Sequence, residues 1–180
     1  MDIIQTLSGG DRRSIGRSQD VVDFVLNNAH RVGQVIAGLS HDDPIVRMRC
    51  ADVAEKVSKQ HADWLQPFKK TLLRIGASSS QQEVRWHIAR MLPRVMLSER
   101  EKQAAISLLY EYLEDKSHIV KTFSMTALAE LAIDDVDLRK KVIPTLKRLI
   151  RVGSPAMQSR GRKLLDRLSN ARMTAPSLRK

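Results

Sequence analysis

The sequence predicts an all-α fold, an α-α superhelix (solenoid) of about four helical hairpins, and three observations carry that prediction. First, the run Pro67-Phe68-Lys69-Lys70-Thr71-Leu72-Leu73-Arg74-Ile75-Gly76 returns as Pro144-Thr145-Leu146-Lys147-Arg148-Leu149-Ile150-Arg151-Val152-Gly153, an offset of 77 residues. Half that offset is the length of one helix-pair repeat. Second, the alternation of β-branched and polar residues with Asn-Gly or Asp-Gly turns that marks hairpin strands is absent. Third, Val46, Val84, Val120 and Met157 recur at spacings of 38, 36 and 37. Each opens an apolar stripe at offsets +4, +7, +8 and +11, the pattern of a buried helix face. The stripe reads Cys50, Val53, Ala54, Val57, then Ile88, Met91, Leu92, Val95 in the next repeat. Ser124, Ala127, Leu128, Leu131 and Gly161, Leu164, Leu165, Leu168 complete it.

In chain order, residues 1–19 read as a loose N-terminal lead-in with Gly9-Gly10, and Asp20–Leu26 as a short capping helix that begins the domain at residue 20. Four hairpins follow: Asn28–Leu39 with Pro44–Lys59, Ala62–Gly76 with Gln81–Val95, Glu99–Asp115 with His118–Ile133, and Asp137–Val152 with Pro155–Ala171. They make residues 20–171 one repeat domain, and residues 172–180 read as a basic flexible tail. Asp43-Pro44 and Ser154-Pro155 place a capping oxygen before a proline whose missing N–H costs nothing at the first helical position. Ser80-Gln81-Gln82-Glu83 and Ser98-Glu99-Arg100-Glu101 match the capping box. Gly76 and Gly153 suit the left-handed residue that ends a helix.

The chain has 180 residues, enough for a real core. Its apolar runs fall short of the ~20 residues that span a bilayer, and Met1-Asp2-Ile3-Ile4-Gln5 lacks the features of a secretory leader. One cysteine, Cys50, lies in the apolar stripe and reads as inert core; a cytoplasmic setting is the expectation. The net charge of +11 is uneven: residues 1–138 hold 18 Lys/Arg against 19 Asp/Glu, whereas residues 139–180 hold 13 against Asp166 alone. Such a block attracts polyanions by steering and counterion release, or merely solubilises its end.

The residues resemble a family at this point. Asp43-x-x-Val46-Arg47 opening a second helix, with Ala51 and Ala54 after it, is similar to the HEAT repeat, as is Glu83-Val84-Arg85 with Ala89. Pro67 and Pro144 resemble the first-helix proline that kinks HEAT units. The resemblance covers about residues 28–170; Lys121 and Gln158 stand where the third and fourth repeats would carry the arginine. It implies a binding scaffold with second helices lining a concave groove, and an inter-repeat ladder of Asp and Arg.

Candidate binding residues follow from helical phase. Opposite the stripe, at offsets +2, +6 and +9, lie Met48 and Asp52, Trp86 and Arg90, and Thr122 and Thr126, with Arg94 at the edge. Trp86 beside Arg90 is hot-spot chemistry for a protein partner, against which stands a Trp packed on a neighbouring repeat. Trp64 reads as first-helix core. Arg47 and Arg85 read as ion-paired with an acid in an adjacent turn. Arg160, Arg162, Lys163 and Arg167 are the candidate anion-binding set, with Arg139, Lys140 and Lys141 nearby in sequence.

Catalytic signals are poor. The five histidines lack metal-ligand spacing, and no phosphate loop or nucleophile elbow is present. The expectation is a non-enzymatic module with no cofactor and no metal, binding another protein. The alternative is sequence-independent nucleic-acid binding through the basic C-terminal repeat. A remote one, implied by the resemblance alone, is a HEAT-like alkylpurine DNA glycosylase using Trp86 and Asp52.

Overall fold

A computed structural model describes residues 1–11 and 14–174, and for 172–174 the backbone alone. Ten α-helices form its regular structure, with three 3-10 turns and no strand among the described residues. They are α1 (Ile3–Leu7), α2 (Ser18–Leu26), α3 (Val32–Gly38), α4 (Pro44–Gln60), α5 (Lys69–Ser78), α6 (Gln82–Met91), α7 (Glu99–Tyr112), α8 (His118–Leu131), α9 (Val136–Val152) and α10 (Pro155–Thr174). Each predicted helix has a helical counterpart within a few residues, with 3-10 turns at Ala29–Arg31, Ala62–Phe68 and Leu92–Arg94. None of these helices is long and apolar enough to cross a membrane.

The chain divides into two compact units, Met1–Leu108 and Leu109–Lys180, the boundary falling within α7. In the first, α4 packs against α1, α2, α3 and α6. Its stripe of Cys50, Val53, Ala54 and Val57 is buried, and Ile88, Met91 and Leu92 of the α6 repeat are closed off completely. Each fully buried aliphatic side chain contributes about 1.5–3 kcal/mol, so the stripe outweighs any one cap. Burial also pushes the Cys50 thiol up to about 12, which keeps it protonated and unreactive. In the second unit α8, α9 and α10 pack pairwise around Val120, Leu128, Val142, Leu146, Leu164 and Leu168. Gly161 permits this: a Cβ there would lie 2.6 Å from Cγ1 of Ile150 on α9 and 3.1 Å from Cε of Met125 on α8.

The caps divide into those that form and those that do not. The Asp43 carboxylate accepts from the N–H of Ile45 at 2.8 Å, ahead of Pro44. Ser98 and Glu101 close a reciprocal capping box: Glu101 Oε2 accepts from the Ser98 N–H at 2.8 Å, and Ser98 Oγ from the Glu101 N–H at 3.4 Å. The expected box at Ser80 does not form; Gln81 is the N-cap and Ser79 Oγ takes its N–H. Gly76 lies inside α5, and Gly153 has φ −81°, so neither takes the left-handed conformation expected of it.

The N-terminal segment departs most from expectation. Residues 1–19, expected as a loose lead-in, hold α1, capped by Asp2, with Ile3 and Leu7 buried. The cause is Arg49, an α4 side chain only 3% exposed. Its guanidinium donates to the carbonyl oxygens of Leu7 (2.8 Å), Gly9 (2.7 Å), Ser14 (3.2 Å) and Asp11 (3.3 Å), with Ser8 at 3.5 Å. The loop wraps this group closely. Gly16 has φ +53°, and a Cβ there would stand 2.7 Å from Arg49 Cζ, so no other residue fits. At the other end, α10 runs to Thr174, beyond the residue 172 where a tail was expected to begin, and residues 175–180 of that tail lie outside the described residues.

Two outcomes follow. Arg49→Met keeps the packing stem but leaves the carbonyls of Leu7, Gly9 and Ser14 without donors. Only the Leu7 carbonyl bond is fully buried, and at about 1–3 kcal/mol for a buried group left unpaired urea unfolding should show a loss of about that size. Hydrogen exchange should speed up first in residues 3–17; unchanged stability would contradict the clamp. The second concerns Glu101, whose carboxyl is held at about 2, below its ordinary 4.5, by Lys69 Nζ at 2.7 Å and the Ser98 N–H. A depressed folded-state pKa stabilises fully above the unfolded value and is lost as pH falls from about 4.5 to about 2. Glu101→Gln should therefore lower stability at neutral pH and flatten that acid loss, read from melting temperatures across the window.

Candidate functional site

Met48, Asp52 and Trp86, three of the predicted groove residues, converge on one cavity of about 190 Å³ in the first unit. Arg49 from α4 and Glu83 and His87 from α6 complete its helical walls. Ser14 and Ile15, from the loop that Arg49 clamps, form the remaining wall, and Ile15 is half exposed. The site thus exists because α4 and α6 pack side by side and because Arg49 draws the N-terminal loop across them.

Trp86 is half-buried on α6. Its ring stacks on His87 with centroids 3.4 Å apart, and Arg90 Cζ lies 5.9 Å from its centroid, within cation–π range. The expected adjacency of Trp86 and Arg90 is present. His87 is buried: its Nδ1 lies 2.5 Å from the Glu83 carbonyl oxygen, and its Nε2 has no hydrogen-bond partner. Asp52 Oδ1 is 3.7 Å from that Nε2, while Asp52 Oδ2 accepts from Lys56 at 2.8 Å. Burial alone would raise the Asp52 carboxyl; the neighbouring imidazole and the Lys56 ammonium outweigh it and hold it below the usual carboxylate value.

Other predicted groove residues are committed to packing. Glu55, 2% exposed, receives Arg94 Nη2 at 2.8 Å, Arg90 Nη2 at 3.0 Å and Lys59 Nζ at 3.2 Å. Arg94 also donates to the Glu55 carbonyl and to Ser58 Oγ. Its fork clamps α6 to α4 and does not face outward, as a groove residue would. Offset +9 of the first repeat, expected on an open face, is therefore closed, because α4 has neighbours on nearly every side. Thr122 and Thr126 stand on α8 in the second unit, half-buried, each hydroxyl donating to the carbonyl four residues back.

Arg47, expected to pair with an acid, bonds backbone carbonyls and an amide instead, and Arg85 reaches a backbone carbonyl. Arg47 donates to the carbonyls of His41 and Asp42 and to Gln81 Oε1, and Gln81 returns a bond to the Pro44 carbonyl. Arg85 Nε donates to the Ser79 carbonyl at 2.6 Å. Arg139 is buried and donates to the carbonyls of Ala132 and Ile133, which removes it from the anion-binding candidates. Trp64, expected as core, is half-buried and stacked on His61 at 4.0 Å.

The basic candidates of the second unit are all exposed. Arg160, Lys163 and Arg167 lie on one side of α10 at spacings i, i+3, i+7, with Arg162 on another. Arg167 approaches Glu130 at 3.8 Å. Lys140 and Lys141 are exposed on α9, and Lys147, Arg148 and Arg151, missed in the sequence, are exposed there with them. At about 3.6 residues per turn they share one side and span about 16 Å. Asp137 joins them there, paired with Lys140, and Arg148 approaches Glu114 at 3.7 Å. The signal was available in the i, i+7, i+11 recurrence of cations opposite Val142, Leu146 and Leu149.

Comparison with family models, with curated proteins and with solved structures yields no match.

Proposed function

We propose that the chain is a non-enzymatic binding scaffold of HEAT-like helical repeats that docks another protein at the Trp86 cavity. One observation carries the reading: a half-buried Trp, fixed by His87 and Arg90, borders a cavity whose other edge is the exposed Ile15. A rigid aromatic beside an arginine and a pocket is the usual composition of an energetic centre in protein recognition. The repeated helix pairs support a superhelical scaffold to present it. Trp86→Ala should weaken the partner recovered with the wild-type chain by about thirtyfold, on the order of 2 kcal/mol, measured by calorimetry, with melting still cooperative. Undiminished binding by a folded variant would overturn the reading. Loss of cooperative unfolding would make Trp86 a core residue.

The exposed cations of α9 favour a second reading, sequence-independent nucleic-acid binding. A helix side carrying Lys140, Lys141, Lys147, Arg148 and Arg151 can exchange counterions for phosphates. Replacing Lys147, Arg151, Arg160 and Lys163 by Gln should weaken binding of labelled duplex and single strands. The salt slope should fall by roughly one for each phosphate that is no longer neutralised. Fluorescence anisotropy at about 50 and 200 mM salt reads both; wild-type binding with no salt dependence would remove the second reading.

A further inference from the structure

We infer that the outward side of α9 docks a nucleic-acid double helix through its phosphates and takes it in preference to a single strand. The inference rests on the nucleic-acid reading and adds which form of the polymer binds and which helix holds it.

Charge comes first. Lys141, Lys147 and Arg151 are exposed, and among the described residues their side chains make no hydrogen bond or ion pair. Lys140 and Arg148 join them in exposed pairs, with Asp137 at 2.9 Å and Glu114 at 3.7 Å, and pairs of that kind give way at little cost. At about 100° per residue, Lys140, Lys147 and Arg151 form one row along the helix, and Lys141 and Arg148 a second about a quarter-turn away. Asp137 is the one acid on that side.

Shape then selects the polymer. The opposite side of α9, with Val142, Leu146 and Leu149, is buried, and the helix packs against α8 and α10. The two rows are therefore held straight over about 16 Å. A duplex matches such a surface, being itself straight and carrying a phosphate charge about every 1.7 Å of its axis. A single strand must be ordered before it can follow the rows. Proteins that bind single strands offset that cost by stacking bases on aromatic side chains. Here the sequence holds no Phe, Trp, Tyr or His after Phe123, so neither α9 nor α10 offers a base any platform. The same burial argues against a membrane surface. A helix that lies in lipid sinks its apolar side there, and α9 has that side packed on its neighbours. Of its large apolar side chains Val136 and Val152 alone are exposed, one at each end.

The test is fluorescence anisotropy on the full chain, with a labelled mixed-sequence DNA duplex and a thymine single strand of equal length. Each contact releases about 0.9 counterion from a duplex and about 0.7 from a single strand, so about three to five contacts should favour the duplex about tenfold at about 50 mM salt. In the triple variant Lys141→Gln, Lys147→Gln, Arg151→Gln, the slope of log affinity against log salt for the duplex should flatten by about 2–3. All three positions are exposed, so its melting should be unchanged. If it does melt early, Lys147→Gln alone serves, with an expected flattening of about 0.9. Equal affinity for the single strand would overturn the inference and leave the nucleic-acid reading standing, as would an unchanged duplex slope in the folded variant. Binding of neither polymer would remove both. Capture by phosphatidylserine vesicles with no duplex binding would remove both as well and give this side of α9 to a membrane surface.

Discussion

A buried guanidinium cannot shed its proton and cannot be left dry, and Arg49 imposes that constraint on the whole first unit. Its position on α4 places it inside the packing, where an unpaired charge would cost several kcal/mol. The chain answers with backbone. Leu7, Gly9, Asp11 and Ser14 turn their carbonyls inward, and the glycines at 9, 10 and 16 take positive φ so that the loop can bend around the group. Order in the N-terminal segment, burial of Ile3 and Leu7, and one wall of the Trp86 cavity all descend from this arrangement.

Arg49 is the extreme case of a device used again at the turns. Arg47, Arg85 and Arg139 each sit a few residues into a helix and reach back to carbonyls of the turn before it, at separations of five to seven residues. Ser79 and Ala132 are C-caps of the preceding helices, whose last carbonyls lack internal partners, and the planar fork of arginine can meet two carbonyls at once. Arg47 would be a rung of an Asp/Arg ladder if it faced an acid. Here Gln81 stands between the first two hairpins, giving and taking one bond each way. The helix pairs are thus joined by amide and carbonyl chemistry at that point, which screening by salt affects little.

Most of the fold was legible because it is written in apolar spacing. The 36–38-residue recurrence of Val46, Val84, Val120 and Met157 gave every helix pair, and the stripe positions are buried with few exceptions such as Leu131 and Leu165, which are half-buried. Asp43-Pro44 and Ser98-x-x-Glu101 gave two helix starts because caps are local. What the sequence concealed was long-range and polar. Arg49 lies about 40 residues from the carbonyls it holds, so no local pattern exposes it, and the glycines that serve it read as looseness. Glu55, an acid at an expected outward position, is buried because α6 brings Arg90 and Arg94 to it. Of the site, Trp86, Met48 and Asp52 were found through phase alone; His87 and the loop residues Ser14 and Ile15 were not.

These burials change what the net charge means. A formal +11 suggests strong attraction for polyanions, but guanidiniums whose donors are taken by carbonyls or by Glu55 are not free to contact a phosphate. Arg47, Arg49, Arg94 and Arg139 belong to that group. The densest run of cations whose surroundings remain aqueous lies on one side of α9 and along α10. α4 and α6 pack against partners and keep their polar groups inside; α9 and α10 leave a whole side to water, and only an exposed side can release ions when it binds. Burial, more than composition, decides which residues of this basic chain are available to a ligand.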